Sequence, residues 1–197
     1  MELADLDLNK IYTYADYYKW KFEERVELIK GKIFKMSPAP GSTHQRISSH
    51  LHIAIGNYLS GKNCEVFSAP FDVRIPRKSK DDKDIVTVLQ PDICVICDPS
   101  KVDERGCIGA PDIVIEILSP ANHKKELKYK HEVYEEAGVK EYWIVEPADK
   151  SVQIYLLTDG RLIASRPLYA EDVFSSSVLP GFSLDLNKLF TIPGGNV

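Results

Sequence analysis

A mixed α/β (α+β) fold, with a core ordered helix–three strands–helix–strand around a mixed central sheet, is what this sequence predicts, on three observations. Ile47, Leu51, Ile55 and Leu59 recur every fourth residue and give one apolar stripe to a helix that Ser42 or Thr43 is expected to cap and that runs to about Ser60. Three apolar stretches follow at about 64–75, 90–97 and 111–118, short and β-branched enough to be strands. A second helical stretch, about 124–137, stops at Gly138 and leads into a further strand at 140–146 that holds Trp143, Ile144 and Val145. The core then covers about residues 42–146 of a chain of 197 residues, a length that suits one domain spanning residues 1–197.

The flanking elements are read in the same way. Thr13 with Asp16 three residues later resembles a capping box and predicts a short aromatic helix from Tyr14 to about Phe22. Between Arg25 and Met36 two alternating runs flank Lys30-Gly31, the pattern of a β-hairpin. Ser37-Pro38-Ala39-Pro40-Gly41 breaks the chain before the long helix, and Gly61 ends that helix. Beyond the core, strands are expected near 152–157 and 161–165, and a short amphipathic segment ends at Phe190. These N-terminal and C-terminal pieces are additions to the core.

Composition excludes several classes. Hydrophobic residues make up 44% and charged residues 27%, which is neither a disordered nor a fibrous chain. No apolar run reaches the roughly 20 residues that span a bilayer, and the first ten residues lack a basic-then-apolar leader pattern. A cytoplasmic protein away from membranes is the expectation. The net charge of −4 argues against a cationic glove for nucleic acid but leaves room for a local basic channel. Cys94 and Cys97 form Cys-x-x-Cys within a strand, where residues three apart face opposite ways, so joint metal chelation is not expected. All four cysteines (Cys64, Cys94, Cys97, Cys107) are expected to be reduced, buried thiols.

The informative polar residues are carboxylates inside apolar strands. Glu116 interrupts Ile113-Val114-Ile115-Glu116-Ile117-Leu118, and an unpaired buried carboxylate costs several kcal/mol or shifts its pKa. A basic partner, a metal or exposure at the strand end must compensate it. Asp92 in Pro91-Asp92-Ile93 repeats the pattern one strand earlier, either as a plain strand-start aspartate or as a second acid. Paired strands would bring the two acids to one end of the sheet, where a hard divalent ion such as magnesium takes oxygen ligands.

Taken with their surroundings, these residues resemble a known family. Pro91-Asp92 followed by Glu116 in a strand closed by Leu118-Ser119-Pro120 looks like the active-site half of the PD-(D/E)XK nucleases. Further segments resemble the bacterial restriction-endonuclease-like family called Uma, the second of that name: Glu27-Leu28-Ile29-Lys30-Gly31, His44-Gln45, Gln90-Pro91-Asp92, Lys130 with Tyr134 and Ala137-Gly138-Val139, and Glu141-Tyr142-Trp143-Ile144-Val145. The resemblance runs from about Tyr14 to Phe190 and implies a restriction-endonuclease-like core. One departure stands out: two residues after Glu116, where the superfamily has lysine, this chain has Leu118. In the family the lysine has migrated to the following helix, which puts Lys130 in that role and leaves Lys124 and Lys128 as substitutes or phosphate contacts.

The resemblance implies a magnesium- or manganese-dependent endonuclease acting on DNA, with Asp92, Glu116 and the backbone carbonyl of Ile117 as metal ligands. Lys130 would position the attacking water or stabilise charge on the phosphate. Glu27 is either a further acid of the site or an exposed hairpin carboxylate. His44, near a helix start, is either a donor to phosphate or the acids, or a capping or packing residue. Gln90 is expected to orient a water or ligand. Arg74, Arg77, Lys78 and Lys80 in one loop, and Lys124, Lys125, Lys128 and Lys130 on the helix, are either solvated charge or contacts to the DNA backbone. A homodimer would suit cutting of two strands. The rivals are an inert nuclease-fold module that binds nucleic acid or protein, and a hydrolase of RNA or another phosphate ester.

Overall fold

The computed structural model describes residues 3–21, 23–36, 40–119 and 124–191. The expected order of core elements is present, threaded between two sheets. The larger sheet runs β12-β11-β10-β9-β6-β3, with β13 beside β11. Its strands are β3 (Glu65–Ser68), β6 (Ile93–Ile96), β9 (Ile113–Ile117), β10 (Glu141–Glu146), β11 (Ser151–Thr158), β12 (Arg161–Ala164) and β13 (Leu168–Tyr169). Only the β9–β10 pair within it is parallel, so the sheet is mixed as expected.

Both faces of this sheet are covered, which is why its central strands read as unbroken apolar runs. Side chains alternate between faces. Ile93, Val95, Ile113, Ile115 and Ile117 pack on one face against the Ile47, Leu51, Ile55 and Leu59 stripe of α2 (Ser42–Leu59). Phe174, Phe182 and Leu186 extend that layer, the last from α4 (Leu186–Phe190), next to the small β14–β15 hairpin (Val173–Ser175 and Ser183–Asp185). On the other face Cys94, Ile96, Val114 and Tyr142 meet Val133 and Tyr134 of α3 (Lys124–Ala137). Gly138 ends α3 at φ +84°, where its N–H and that of Val139 both reach the Tyr134 carbonyl.

The second sheet, β2-β1-β5-β4-β8-β7, comprises β1 (Val26–Ile29), β2 (Lys32–Lys35), β4 (Val73–Arg74), β5 (Val88–Leu89), β7 (Val102–Asp103) and β8 (Gly106–Ile108). Its β1–β2 hairpin turns on Lys30 and Gly31 at φ 51° and 79°, the left-handed pair that a two-residue turn requires. Ile29, Val73, Ile75 and Leu89 join the apolar layer under α3. Tyr12, Tyr14, Leu28, Ile85 and Val88 form a third cluster beyond it.

Several expectations need correction. The stretch 64–75 is not one strand: β3 pairs in the larger sheet and β4 in the smaller one, because Pro70 brings no N–H to continue the ladder. The stretch 90–97 is likewise strand only from Ile93; Gln90-Pro91-Asp92 carries the chain from one sheet to the other. Gly41, not Ser42 or Thr43, occupies the N-cap of α2. The aromatic helix α1 covers only Tyr14–Tyr17, after which Lys19 and Trp20 form i→i−3 turns that bring Trp20 onto Tyr12; Phe22 lies outside the described residues. Its start is as predicted, with the Thr13 N–H and hydroxyl both donating to Asp16 at 3.0 and 2.9 Å.

The cysteines divide. Cys94 and Cys107 are buried thiols, and burial pushes the Cys107 thiol up to about 11. Cys64 and Cys97 instead form a disulfide, contrary to the expectation of reduced thiols. The β3–β6 register pairs Glu65 with Ile96, so the next residues outward, Cys64 and Cys97, stand opposite each other. A single-strand reading could not show this cross-strand neighbour.

Candidate active site

The site is built where the chain crosses between the two sheets. Strands β6 and β9 are antiparallel, with Ile93 opposite Ile115 and Cys94 opposite Val114. One further step of that register sets Asp92 opposite Glu116, on the sheet face that carries Cys94 and Val114. Asp92 Oδ2 accepts the Ile117 N–H at 2.7 Å and faces His44 Nε2 at 3.2 Å. The first contact ties the acid to β9, bringing the Ile117 peptide beside it; the second ties it to the first turn of α2.

Glu116 points beneath α3. Its Oε1 accepts from the Tyr134 hydroxyl at 2.9 Å and from Lys130 Nζ at 3.1 Å. Lys130 is itself buried and lies 3.0 Å from Glu27 Oε1, on β1 of the other sheet. One ammonium group therefore bridges carboxylates from two sheets. Glu27 is fully buried, so of the two sequence readings the exposed hairpin carboxylate is ruled out. Gln90 donates its backbone N–H to the same Glu27 oxygen at 2.7 Å.

Electrostatics follow from burial. Desolvation pushes the Glu116 carboxyl up to about 8; Lys130 opposes this, while Asp92 and Glu27 add to it. The Tyr134 and Tyr142 hydroxyls are held well above their ordinary range, first by burial and next by the Glu116 charge. Among the described residues, the buried Glu27 Oε2 and His44 Nδ1 atoms have no hydrogen-bond partner. An open cleft of about 420 Å³ reaches this cluster at Asp92 and His44, lined also by Arg25, Gln45 and His52.

Asp92, Glu116, Ile117, Lys130, Glu27 and His44 are thus brought together. Gln90 is not aimed at the acids: its side chain accepts from Arg25 at 2.6 Å and donates to Asp72 at 2.8 Å and Tyr17 at 3.0 Å. Lys128 is exposed on α3, and the Lys124 and Lys125 side chains lie outside the described residues. Among the basic loop residues, Arg74 is not in a loop. It sits fully buried in β4, bonded to Asp103 beneath the Tyr14 ring, so the expected solvated or DNA-facing arginine is an internal ion pair. Arg77 pairs with Glu136 at 2.9 Å. The sequence reading passed over Arg25 and Asp72; no local pattern marks them, since their contacts to Gln90 join residues 65 and 18 positions apart.

The acid of the Glu141-Tyr142-Trp143 segment belongs to a different structure. Glu141 is fully buried, and its two oxygens accept from Trp143 Nε1, the Ser176 and Ser177 hydroxyls, and the Ser177 and Val178 N–H groups at 2.6–3.1 Å. It fastens the 176–178 loop to β10.

Comparison with known proteins agrees with this architecture. A solved structure described as a putative nuclease belonging to DUF820, from Anabaena variabilis, superposes with a TM-score of 0.72 at 22% identity, covering 91% of this chain and 97% of that one. At that identity the likeness shows a shared fold. An uncharacterized protein of Synechocystis, slr1290, is 24% identical over 147 residues, 73% of each chain. The family model Uma2, described as "Putative restriction endonuclease", matches residues 14–187. That span takes in both sheets, both long helices and every residue of the cluster around Lys130, and the chain belongs to the Uma2 family.

Proposed function

We propose that this chain is a metal-dependent nuclease that hydrolyses phosphodiester bonds in DNA. The observation that carries the reading is the facing pair Asp92 and Glu116 with Lys130 held 3.1 Å from Glu116: two acids and a lysine at the end of a mixed sheet, beside an open cleft. The family's description supports the reaction class.

The donor set fits magnesium or manganese. Asp92 and Glu116 offer hard oxygen ligands, and Glu27 adds a buried oxygen that no donor reaches among the described residues. Among the described residues no three His, Cys, Asp or Glu side chains converge as a ready-made cage. Remaining positions would fall to the Ile117 carbonyl, water and the substrate phosphate, the usual division for magnesium. When bound, such an ion lowers the pKa of a water and offsets charge on the scissile phosphate.

The protein's own groups do the positioning. Ile117 N–H and His44 fix the rotamer of Asp92, which therefore presents its carboxylate without reorganisation. Glu27 and Glu116 clamp Lys130 so that its charge is already in place when negative charge builds on the phosphate, which is worth most in a site shielded from water. Tyr134 holds the shared Glu116 oxygen. A rival, an inert module that keeps the fold, is favoured by one feature: the Lys130 ammonium already serves two carboxylates.

Cleavage of labelled DNA by the purified protein, with magnesium, manganese or excess chelator, separates the two. Turnover with either metal and none with chelator is expected, with calcium supporting little. Lys130→Gln, which keeps a donor between the acids, should lower turnover by at least about tenfold with metal affinity retained. Cleavage that persists in chelator, or a Lys130→Gln protein of full activity, would remove the mechanism. A parallel RNA substrate reports on the sugar preference.

A further inference from the structure

Beside the acid cluster, and separate from it, lies a second cleft of about 240 Å³ lined by Tyr17, Tyr18, Trp20, Glu24, Arg25 and Gln90. Its chemistry is unlike that of the first. The aromatic walls are presented by α1 and the turn after it: Trp20 is braced by Tyr12 and Tyr17 with ring centroids 5.2 and 5.9 Å apart, and Tyr18 is 60% exposed. Tyr18, just past the end of α1, has the Tyr14 ring 5.8 Å away and the Arg105 guanidinium 5.4 Å over its own ring, yet most of the residue stays in water and is available for a flat partner.

Arg25 is where the two clefts meet, since it lines both. Its guanidinium donates twice to Gln90 Oε1, at 3.2 and 2.6 Å, and among the described residues no carboxylate pairs with it. The nearby Glu24 is engaged by Lys35 at 3.4 Å. Gln90 is locked in turn, because its amide nitrogen donates to Asp72 and to Tyr17. That fixes the amide with its oxygen toward Arg25. The Gln90 amide, itself held by Asp72 and Tyr17, therefore keeps an exposed arginine in one place with no carboxylate bonded to it directly among the described residues, Asp72 acting on it only from across the amide. Arginine held this way suits bidentate contact with a phosphate, and aromatic rings next to it suit a base of any sequence.

We propose that Arg25 clamps a backbone phosphate of an unpaired nucleotide whose base stacks on Tyr18 and Trp20, so that the substrate is DNA with a single-stranded segment next to the cleavage position. This rests on the nuclease reading for the position of the cut, but not for binding. A base inside an intact duplex is stacked on its neighbours and cannot enter such a cleft, whereas a single strand, flap or overhang offers a free π-face. Gln90 is a positioning residue here, acting through Arg25.

The experiment is fluorescence-polarisation binding of the intact protein to a labelled single-stranded oligonucleotide and to a blunt duplex of the same length, in chelator to prevent turnover. The single strand should bind about tenfold tighter. Arg25→Ala should lose most of that preference and flatten the log–log salt dependence by about 0.7, one phosphate on a single strand. Tyr18→Ala should weaken the single strand several-fold and Tyr18→Phe should restore it, since the ring matters and the hydroxyl does not; both positions are exposed, so folding is preserved. Equal affinity for the two DNAs, or a neutral Tyr18→Ala, overturns the clamp. Cleavage assays keep the two readings apart. Single-strand preference lost in Arg25→Ala but no cleavage with any metal would leave the clamp and sink the nuclease. Full cleavage of blunt duplex by Arg25→Ala and Tyr18→Ala would do the opposite.

Discussion

Glu116 and Glu141 look alike in the sequence, each a carboxylate in a largely apolar strand, and the structure gives them opposite circumstances. Five donors surround Glu141, enough to satisfy most of its lone pairs. Glu116 has Lys130 and Tyr134 on one oxygen and two further acids nearby, and its proton is held up to about 8. The difference lies in a loop 35 residues or more away, so no reading of the strand alone could assign it. Asp72 is a third case, raised by burial against hydrogen bonds from Gln90 and Tyr17. An acid raised on folding stabilises the protein fully below its unfolded value near 3.9, and that contribution is lost as pH rises through the folded value. Asp72→Asn should therefore flatten the decline in melting temperature above the ordinary carboxylate range. An unchanged pH profile of the melts would mean that Asp72 stays ionised in the fold.

At the level of elements, what could be read was whatever declares itself locally. The i, i+4 stripe of α2, the Lys30-Gly31 turn, the glycine stop of α3 and the capping of α1 by Thr13 and Asp16 all depend on near neighbours, and all are present. The division of strands between sheets was not legible, because 64–75 changes sheet partway, 90–92 carries the chain from the smaller sheet into the larger, and only tertiary pairing reveals either. Asp92 and Glu116 could be placed together from their strands, and Glu27 joined them only through a lysine on a helix. Gly106 shows how tightly the smaller sheet is drawn against the crossing: at φ +118° a Cβ there would stand 2.2 Å from the Asp72 carbonyl oxygen. Gly106→Ala should thus destabilise by at least about 2 kcal/mol, strain and backbone displacement together, read as a lower denaturant midpoint at unchanged slope. It should also disturb Asp72 and the Gln90–Arg25 arrangement above it.

For the molecule as a whole, the balance between stability and a charged site is the measurable quantity. Asp92 in the metal-free protein faces other acids, and Asp92→Asn keeps its shape while removing one charge. The variant should stay within about 1 kcal/mol of the parent without metal. The parent should then gain stability with added magnesium or manganese, about 2.7 kcal/mol at a hundredfold excess over Kd, and the variant should lose most of that gain. Melts of both proteins across a metal series report the outcome. Clear destabilisation of the variant with no metal response in either protein would make Asp92 a structural residue. Among the described residues no helix is long and apolar enough to cross a membrane.

The double grip on Lys130 also bears on whether this machinery can be moved. Its two partners come from different sheets, Glu27 from the N-terminal hairpin and Glu116 from the central strand. A fragment beginning at α2 would keep Asp92, Glu116 and Lys130 in its sequence. It would nevertheless leave the ammonium one carboxylate short and uncover the apolar surface that β1 and β5 share. The cluster is therefore not a cassette that can be cut out or grafted by transplanting the core. Its geometry comes into being only when both sheets have docked, and a transplant would have to carry the hairpin with it.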